Sequence, residues 1–267
     1  MALNEHRIPS CLAYAGPWAV FFGFKWLTYR RNWLISRKIK AMQVDCVLDF
    51  GAGEGFWLRY AQRMWPHCRW VAVEPNVDLA DFVAATSSAE VWAEYRPKEW
   101  GEIQGKASKP AIWLFSVLPY LPEPEKCLAD WSEHSQMGTE LYIYQPIHER
   151  QLIGLYRRWF NRGASYETAQ GRRNRYDWKG LQALLQQASW QVVESEPIYG
   201  TWGILSHELW GMAVLLFGKK GWRWAGLLGM LLLWPFVLLL AVLDAIFPPK
   251  SPETANGVWV RANKAKP

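Results

Sequence analysis

Cysteine is scarce in this chain: four in 267 residues, at positions 11, 46, 68 and 127. None of the intervals has the close pairing of a metal or dithiol site. A zinc centre, a disulfide framework and a thiol redox pair are therefore not expected, and the thiols suit a reducing compartment. Charge is missing altogether from Trp224 to Leu243, a run of twenty residues. The order of a secretory leader is missing too, because the apolar stretch 11–27 precedes its basic cluster (Arg30, Arg31, Arg37, Lys38, Lys40) instead of following it. That stretch is expected to form one or two amphipathic helices that lie on a membrane or cover a cofactor pocket, the alternative being a helix packed only on its own domain. No basic groove stands apart from the apolar segments, and no target-recognition insert is visible. A net charge of +6 and a pI near 9.1 thus point away from nucleic acid, toward a membrane surface beside the Trp-rich apolar segments.

What the chain does have is a strand that ends in an acid and turns on three glycines: Cys46-Val47-Leu48-Asp49-Phe50-Gly51-Ala52-Gly53-Glu54-Gly55. In dinucleotide folds such glycines let the backbone approach a pyrophosphate at the positive end of the next helix. Here a pyrophosphate would meet Asp49 and Glu54 at close range, whereas a cationic cofactor would be favoured. S-adenosylmethionine, with a sulfonium, an ammonium and no phosphate, has the matching charge. The helical spacing of Phe56–Trp65 stops before Pro66. A second strand, Arg69–Val73, then ends at Glu74, nineteen positions after Gly55. An acid at that place hydrogen-bonds the ribose of a nucleoside cofactor, and strand, helix and strand complete a right-handed βαβ unit.

The run D-x-G-x-G-x-G resembles the first motif of the class I S-adenosylmethionine-dependent methyltransferases. Further resemblances follow in order between about residues 40 and 200: the strand Ala111–Phe115 with Ser116-Val117-Leu118-Pro119-Tyr120-Leu121-Pro122, a helix from Glu125 to Ser135, a strand Leu141–Tyr144, and a late phrase at Asn174–Leu181 with its helix and the strand Trp190–Val193. Ser189 stands where the family's late phrase has glycine. The resemblance implies an α/β fold, a doubly wound Rossmann-like sheet of seven strands with the last antiparallel. It implies S-adenosylmethionine as cofactor, with Asp49, Gly51, Gly53, Gly55, Glu74, Glu94 and Ser116 around it, Glu94 being the nearest acid after the third strand. No metal is implied. Short helices and strands at Leu79–Ala84 and Glu90–Tyr95 complete the reading.

Near the C-terminus the uncharged run is long enough to cross a bilayer, but Pro235 at its middle favours a kink. The tail Gly257–Ala262 alternates like a strand, and in the family such a tail returns to the sheet. Lys219, Lys220 and Arg223 before the run and Lys250 after it place positive charge on both flanks. The expected arrangement is a helix over 204–218 followed by two half-helices dipping into one leaflet from the cytoplasmic face of the inner membrane, monotopic or re-entrant. The alternatives are a single span, or a soluble hairpin that packs on the sheet or on a partner subunit. The organisation expected is N-terminal helices over 1–41, a methyltransferase domain over 42–202 and 256–263, and the apolar insertion over 203–255. Trp18, Trp26, Trp33, Trp202, Trp210, Trp222, Trp224 and Trp234 flank apolar segments as interfacial indoles do, whereas Trp57, Trp92 and Trp190 fill core elements.

Methyl transfer is an in-line displacement in which alignment and exclusion of water matter most. A base is optional; His148, just beyond the fifth strand, is the candidate, and Tyr120 is a candidate for positioning the acceptor. His207 and Glu208 are read as structural or headgroup residues. The leading reading is a methyltransferase acting on a lipophilic small molecule of quinone, isoprenoid or polyene-pigment type at the membrane. A soluble small-molecule enzyme, a nucleic-acid or protein methyltransferase and a non-catalytic membrane scaffold are the competing ones.

Overall fold

The computed structural model describes residues 24–148, 150–164, 172, 174–218 and 221–265. Its elements, in chain order, are α1 (Phe24–Ala41), β1 (Cys46–Phe50), α2 (Phe56–Gln62), β2 (Arg69–Val73), α3 (Val77–Thr86), β3 (Glu90–Trp92), α4 (Pro97–Gln104), β4 (Pro110–Phe115), α5 (Pro124–Glu133), β5 (Glu140–Gln145), α6 (Gly154–Asn161), α7 (Trp178–Gln187), β6 (Trp190–Ile198), α8 (Thr201–Gly218), α9 (Arg223–Ile246) and β7 (Gly257–Lys264). They pack as two compact units. One comprises the described residues within Ile35–Ile147, Asn174–Glu196 and Gly257–Pro267, and the other those within Met1–Leu34, His148–Arg173 and Pro197–Asn256. The expected helices over 11–27 fall largely outside the described residues.

The first unit is built on a seven-stranded sheet of order β3-β2-β1-β4-β5-β7-β6. Strands β1 to β5 pair parallel, and β7 enters antiparallel to β5, with Gln145 opposite Val258 and Glu140 opposite Asn263. The alternating tail is therefore the last strand of the sheet, as expected.

The two faces of the sheet differ in chemistry. On one, Cys46, Leu48, Val71, Val73, Ile112, Leu114, Leu141, Ile143, Val258 and Val260 form an aliphatic layer that α4, α5 and α7 cover with Trp100, Trp131, Leu181 and Leu185. The other face carries Trp70, Trp113, Phe115, Tyr142 and Trp259. Their rings meet in sequence across the sheet: Trp70 to Trp113 at 5.4 Å, Trp113 to Phe115 at 5.2 Å, Phe115 to Trp259 at 5.5 Å and Trp259 to Tyr142 at 5.9 Å. The α2 side covers this face, with Trp57 on Phe115 and Trp65 on Trp70. The indole N–H groups of Trp70, Trp100, Trp113 and Trp131 have no hydrogen-bond partner among the described residues. Each orphan costs about 1–3 kcal/mol, but burying an indole contributes about 4–6 kcal/mol at ~25 cal/mol per Å² over ~150–250 Å². Apolar area wins, which explains how so much tryptophan is accommodated in a core.

Several local expectations change. Strand β3 is shorter than the expected 90–95, ending at Trp92. Helix α4 was not expected, although Pro97 in its first turn and Glu99 are ordinary helix-start residues. Of the basic cluster after residue 27, Arg37 pairs with Glu196, and Lys38 pairs with both Glu194 and Glu196. Those cations are committed to β6, so they do not stand ready for a lipid surface.

In the second unit α8 and α9 form an antiparallel hairpin. The register follows from three contacts: Gly203 against Asp244, the Ser206 hydroxyl donating to the Val237 carbonyl at 2.9 Å, and Gly229 facing Ala213. Helix α9 runs unbroken through Pro235, so a single element stands where two half-helices were expected. Trp210 is buried here rather than interfacial. At the open end of the hairpin, Arg30 pairs with the fully buried Asp244 and also donates to its carbonyl at 2.8 Å.

Candidate active site

In an open α/β sheet the strand order reverses at one point, and the loops leaving the strands on either side of it diverge to leave a crevice. Here that point lies between β1 and β4. Asp49 is at the end of β1, the glycine turn follows, and Ser116 follows β4 directly.

Gly51, Gly53 and Gly55 all have left-handed backbone, with φ of 71°, 57° and 66°. Two of them need to be glycine for different reasons. A Cβ on Gly51 would lie 2.7 Å and 2.9 Å from the two methyls of Val117, so this glycine lets the loops after β1 and β4 close on each other. A Cβ on Gly53 would meet nothing within 4 Å, so this glycine faces open space on the crevice side. The turn is tied down by Gly51 N–H to Val73 O at 2.8 Å and Gly55 N–H to Ala52 O at 2.9 Å.

Glu74 reaches across from the end of β2. One carboxylate oxygen accepts the Gly53 N–H at 2.8 Å and the other accepts the Asn76 N–H at 2.9 Å. The acid is thus fixed on the glycine turn, with further lone pairs on each oxygen for a ligand hydroxyl. Asp49 is only 4% exposed, and among the described residues no donor hydrogen-bonds its carboxylate. Burial first, and then the negative charge of Glu74, push its carboxyl up to about 7. Arg59, the cation closest to the turn in sequence, is turned to the Glu54 carbonyl, the Thr86 hydroxyl and the Phe82 ring. It therefore does not neutralise Asp49.

Ser116 has φ of 66° without being glycine, and its N–H donates to the Tyr144 carbonyl at 2.7 Å. A left-handed non-glycine residue at a strand end is a local cost that marks sites of function. The next turn, Leu118–Tyr120, presents Tyr120 with its side chain exposed. Asn174 holds that turn with three bonds: its side-chain amide donates to Leu118 O at 3.3 Å and Leu121 O at 2.6 Å, and its N–H donates to Pro119 O at 3.0 Å. Sequence reading placed Asn174 in the late phrase without giving it this part. The outlier at Ser189, φ of 60°, explains why the resembling family has glycine there.

The structure thus brings Asp49, Gly51, Gly53, Gly55, Glu74 and Ser116 to one end of the sheet, where its strand order reverses. Glu94 lies two residues beyond β3 with its side chain exposed. His148 belongs to the helical unit, where its ring lies 5.1 Å from that of Phe160. Glu208 is there as well, buried, accepting the N–H groups of Leu152 at 2.9 Å and Ile153 at 2.7 Å just before α6, and so has the structural role expected of it. Two shallow cavities of about 390 Å³ each, beside Arg261 and beside Ser189, lie at the opposite ends of the strands from Asp49.

The residues fit a cationic nucleoside cofactor. A buried carboxylate without a donor is matched by an ammonium, a carboxylate anchored on a turn is matched by ribose hydroxyls, and an open left-handed glycine leaves room for the ligand against backbone. No group of three or more His, Cys, Asp or Glu residues among the described residues could hold a metal ion.

Comparison with solved structures gives the same fold. StiE O-MT matches with a TM-score of 0.53 at 11% identity, over 96% of this chain and 81% of that one. A Galdieria sulphuraria protein assigned as a sarcosine dimethylglycine methyltransferase matches with a TM-score of 0.51 at 11% identity, over 90% and 84%. The [4+2]-cyclase SpnF matches with a TM-score of 0.50 at 13% identity, over 87% and 80%. No protein-family model and no curated protein matches the chain. The chain therefore has the Rossmann-like methyltransferase fold. A cyclase among the matches shows that this fold hosts more than one chemistry, so activity has to be argued from the site.

Proposed function

We propose that this protein is an S-adenosylmethionine-dependent methyltransferase that acts on a lipophilic small molecule at a membrane surface. The observation that carries the cofactor assignment is Asp49: a carboxylate buried without a donor, at the end of β1, beside a second acid fixed on the glycine turn. A dinucleotide pyrophosphate would be repelled by this pair, whereas an ammonium neutralises it. The methyltransferases among the fold neighbours support the same reading.

When bound, the cofactor supplies an electrophilic methyl group on sulfur. The part of this chain is to orient and to exclude water. Asp49 holds the cationic end, Glu74 accepts from the ribose, and Gly53 allows backbone approach. Glu94 is the acid available for the adenine amino group, and Ser116 and the Tyr120 turn border the acceptor side, with Asn174 fixing that turn. If the acceptor needs to lose a proton, an imidazole is the side chain suited to the task, and His148, just beyond β5 in the chain, is the candidate.

The lipophilic acceptor is inferred from the second unit. Within Trp224–Ile246 an 18-residue window has a mean hydropathy of 2.5 and only 18% of its residues are buried, so most of its side chains are left at least partly uncovered. Since β6 and β7 belong to one sheet, the hairpin between them must leave and return on the same side, which favours association with the cytoplasmic face over a single span. A long apolar tail contributes about 0.8 kcal/mol per buried methylene, so an acceptor drawn from the bilayer can be held mainly by its tail.

Isothermal calorimetry with S-adenosylmethionine and its demethylated product tests the cofactor. Binding is expected for both, and binding of NAD with none of either would refute the assignment. Turnover assays with long-tailed and tail-free versions of one acceptor test the second half. Equal kcat/KM for the two would favour a soluble small-molecule enzyme whose hairpin is a protein interface.

A further inference from the structure

The burial pattern of α9 goes further than its length. Its exposed side chains, among them Trp224, Leu228, Leu231, Leu232, Phe236, Leu239 and Ile246, recur at helical spacing along one face for the whole element. Its buried ones, Val237, Ala241 and Asp244, lie on the opposite face toward α8. Among the described side chains from Trp224 to Ile246 the exposed stripe contains no charge, over about 35 Å of helix at ~1.5 Å per residue. It is closed at one end by Trp222 and Trp224, the latter 83% exposed, and at the other by Phe247.

Three arrangements could cover such a stripe: an upright hairpin in a bilayer, a helix lying flat in one leaflet, or a second protein surface. An upright hairpin is limited by α6. That helix is fastened to α8 through Glu208 and through the Tyr156–His207 ring contact at 6.3 Å, and it carries the exposed Arg157 and Arg158. From Glu208 to the end of α8 at Gly218 is about 15 Å at ~1.5 Å per residue, half of the ~30 Å hydrocarbon core. Exposed arginines do not follow a helix into hydrocarbon. The hairpin therefore cannot cross, and standing upright it would leave Leu239, Ile246 and Phe247 in water. Lying flat immerses the entire stripe.

Charge decides between lipid and protein. Among the described residues of this unit Arg157, Arg158, Arg162 and Lys250 are exposed. Of the acids among those described residues, Glu208 and Asp244 are buried and Glu253 is exposed. A basic unit with an apolar stripe complements an anionic lipid surface, whereas a second copy of the same unit would bring like charges together.

We propose that α9 lies parallel to the membrane plane within a single leaflet of an anionic bilayer, immersed along its whole outer face, as interfacial helices are. This rests on the membrane reading above and makes its geometry specific. The test uses the full chain with Cys11 and Cys127 replaced by serine and one cysteine introduced at 228, 232, 239 or 246. Each is labelled with an environment-sensitive fluorophore and bound to phosphatidylglycerol/phosphatidylcholine vesicles containing lipids quenched at known depths. Equal, shallow depths at all four positions are expected. Depths that increase steadily from 246 to 228, or peak near the middle of the helix, would overturn the flat arrangement. Binding to pure phosphatidylcholine as tight as to the mixture would overturn the anionic preference. Labels that remain unquenched in a chain sedimenting as a dimer would assign the face to a second copy.

As a companion, L232E/F236E should weaken vesicle binding at least tenfold while calorimetric affinity for S-adenosylmethionine is unchanged. Loss of cofactor binding in the parent chain with vesicle binding intact would refute the methyltransferase reading and leave the membrane geometry standing. The reverse result would refute the geometry alone.

Discussion

The crevice at the end of β1 and the outer face of α9 depart from ordinary solvation in opposite directions. The first encloses a carboxylate and offers it no donor, and the second leaves leucine, phenylalanine and tryptophan in water. The other buried acids among the described residues are partnered: Glu74 by two backbone N–H groups, Asp244 by Arg30, Glu208 by two backbone N–H groups. Large apolar side chains of β1, β2, β4, β5 and β7 are covered on both faces of the sheet. Each exception is an unmet demand that a ligand of the opposite kind satisfies, a cation in one case and hydrocarbon in the other. Substitutions that remove the demand should therefore stabilise, or leave unchanged, the protein alone while weakening its binding.

Asp49→Asn is the strongest way to break the comparison. Removing the buried charge should stabilise the free protein by a few kcal/mol at pH 8, on the order of 1.36 kcal/mol per unit of the raised pKa. Affinity for S-adenosylmethionine should fall about 100-fold or more, as expected from the ~3–5 kcal/mol lost when one partner of a buried ion pair is removed. Chemical denaturation and calorimetry on the same samples give both signs. A variant that is destabilised and still binds would show Asp49 to be an ordinary core residue.

The same carboxylate predicts a pH dependence. In the folded protein its carboxyl is raised from 3.8 to about 7, so the native state binds a proton that the unfolded chain releases. Its contribution to stability is then fully present below about pH 4 and lost as pH rises through about 7. Cofactor binding runs the other way, because the cation needs the carboxylate ionised. Affinity should drop by up to about tenfold per unit as pH falls below 7, with proton uptake or release detectable in buffers of different ionisation enthalpy. A flat profile from pH 8 to 5.5 would remove Asp49 from the site.

How much of this was legible in the sequence depends on how local the cause is. The acid, the glycine turn and the second acid each announce themselves in a short run of neighbouring residues, and the tail in its own alternation, so all were readable although Glu74 meets Gly53 from the next strand and β7 pairs with β5 across more than a hundred positions. The partners of the basic cluster were not, because Arg37 and Lys38 meet Glu194 and Glu196 across more than 150 positions. Nor was the part of Asn174, whose bonds go to a turn over fifty positions earlier. The uncharged run announced an apolar helix but not which side of it is covered; that depends on the register with α8, set by Gly203 and Ser206. The two half-helices expected about Pro235 are one helix, because the packing of the whole element on its neighbour outweighs the hydrogen bond that proline removes.

Gly51 and Gly53 sharpen the comparison within the crevice. Both have left-handed backbone, so alanine strains either, typically by about 1 kcal/mol. At Gly51 the added methyl also meets Val117 at 2.7 Å, whereas at Gly53 it meets nothing. Gly51→Ala should therefore lower stability by about 2–3 kcal/mol in total, adding an overpacking cost of ~1–3 kcal/mol at the low end of that range. Gly53→Ala should cost no more than the strain and yet lose most of the cofactor affinity. Equal stability and equal binding for the two would mean that the open side of Gly53 is not where the ligand lies.

The smallest expected effect separates the two faces of the hairpin. Ser206 is fully buried and donates to the Val237 carbonyl at 2.9 Å, a bond across the covered side of α9. Ser206→Ala removes the donor but leaves a carbonyl that keeps its place in the helix, so the loss should be about 0.5–1.5 kcal/mol. Leu239 on the outer side is 55% exposed. Leu239→Ser in the lipid-free protein should change stability by less than about 0.5 kcal/mol, as at ordinary surface positions. On vesicles the order reverses: Ser206→Ala should bind as the parent does, and Leu239→Ser should bind more weakly by roughly 1–2 kcal/mol, since a leucine side chain contributes that much when immersed. Parallel denaturation and vesicle titrations with these two substitutions ask whether inside and outside are assigned correctly. If Leu239→Ser unfolds the free protein as strongly as Ser206→Ala, the outer face is packed against protein, and the hydrocarbon it lacks in water is supplied by the chain itself.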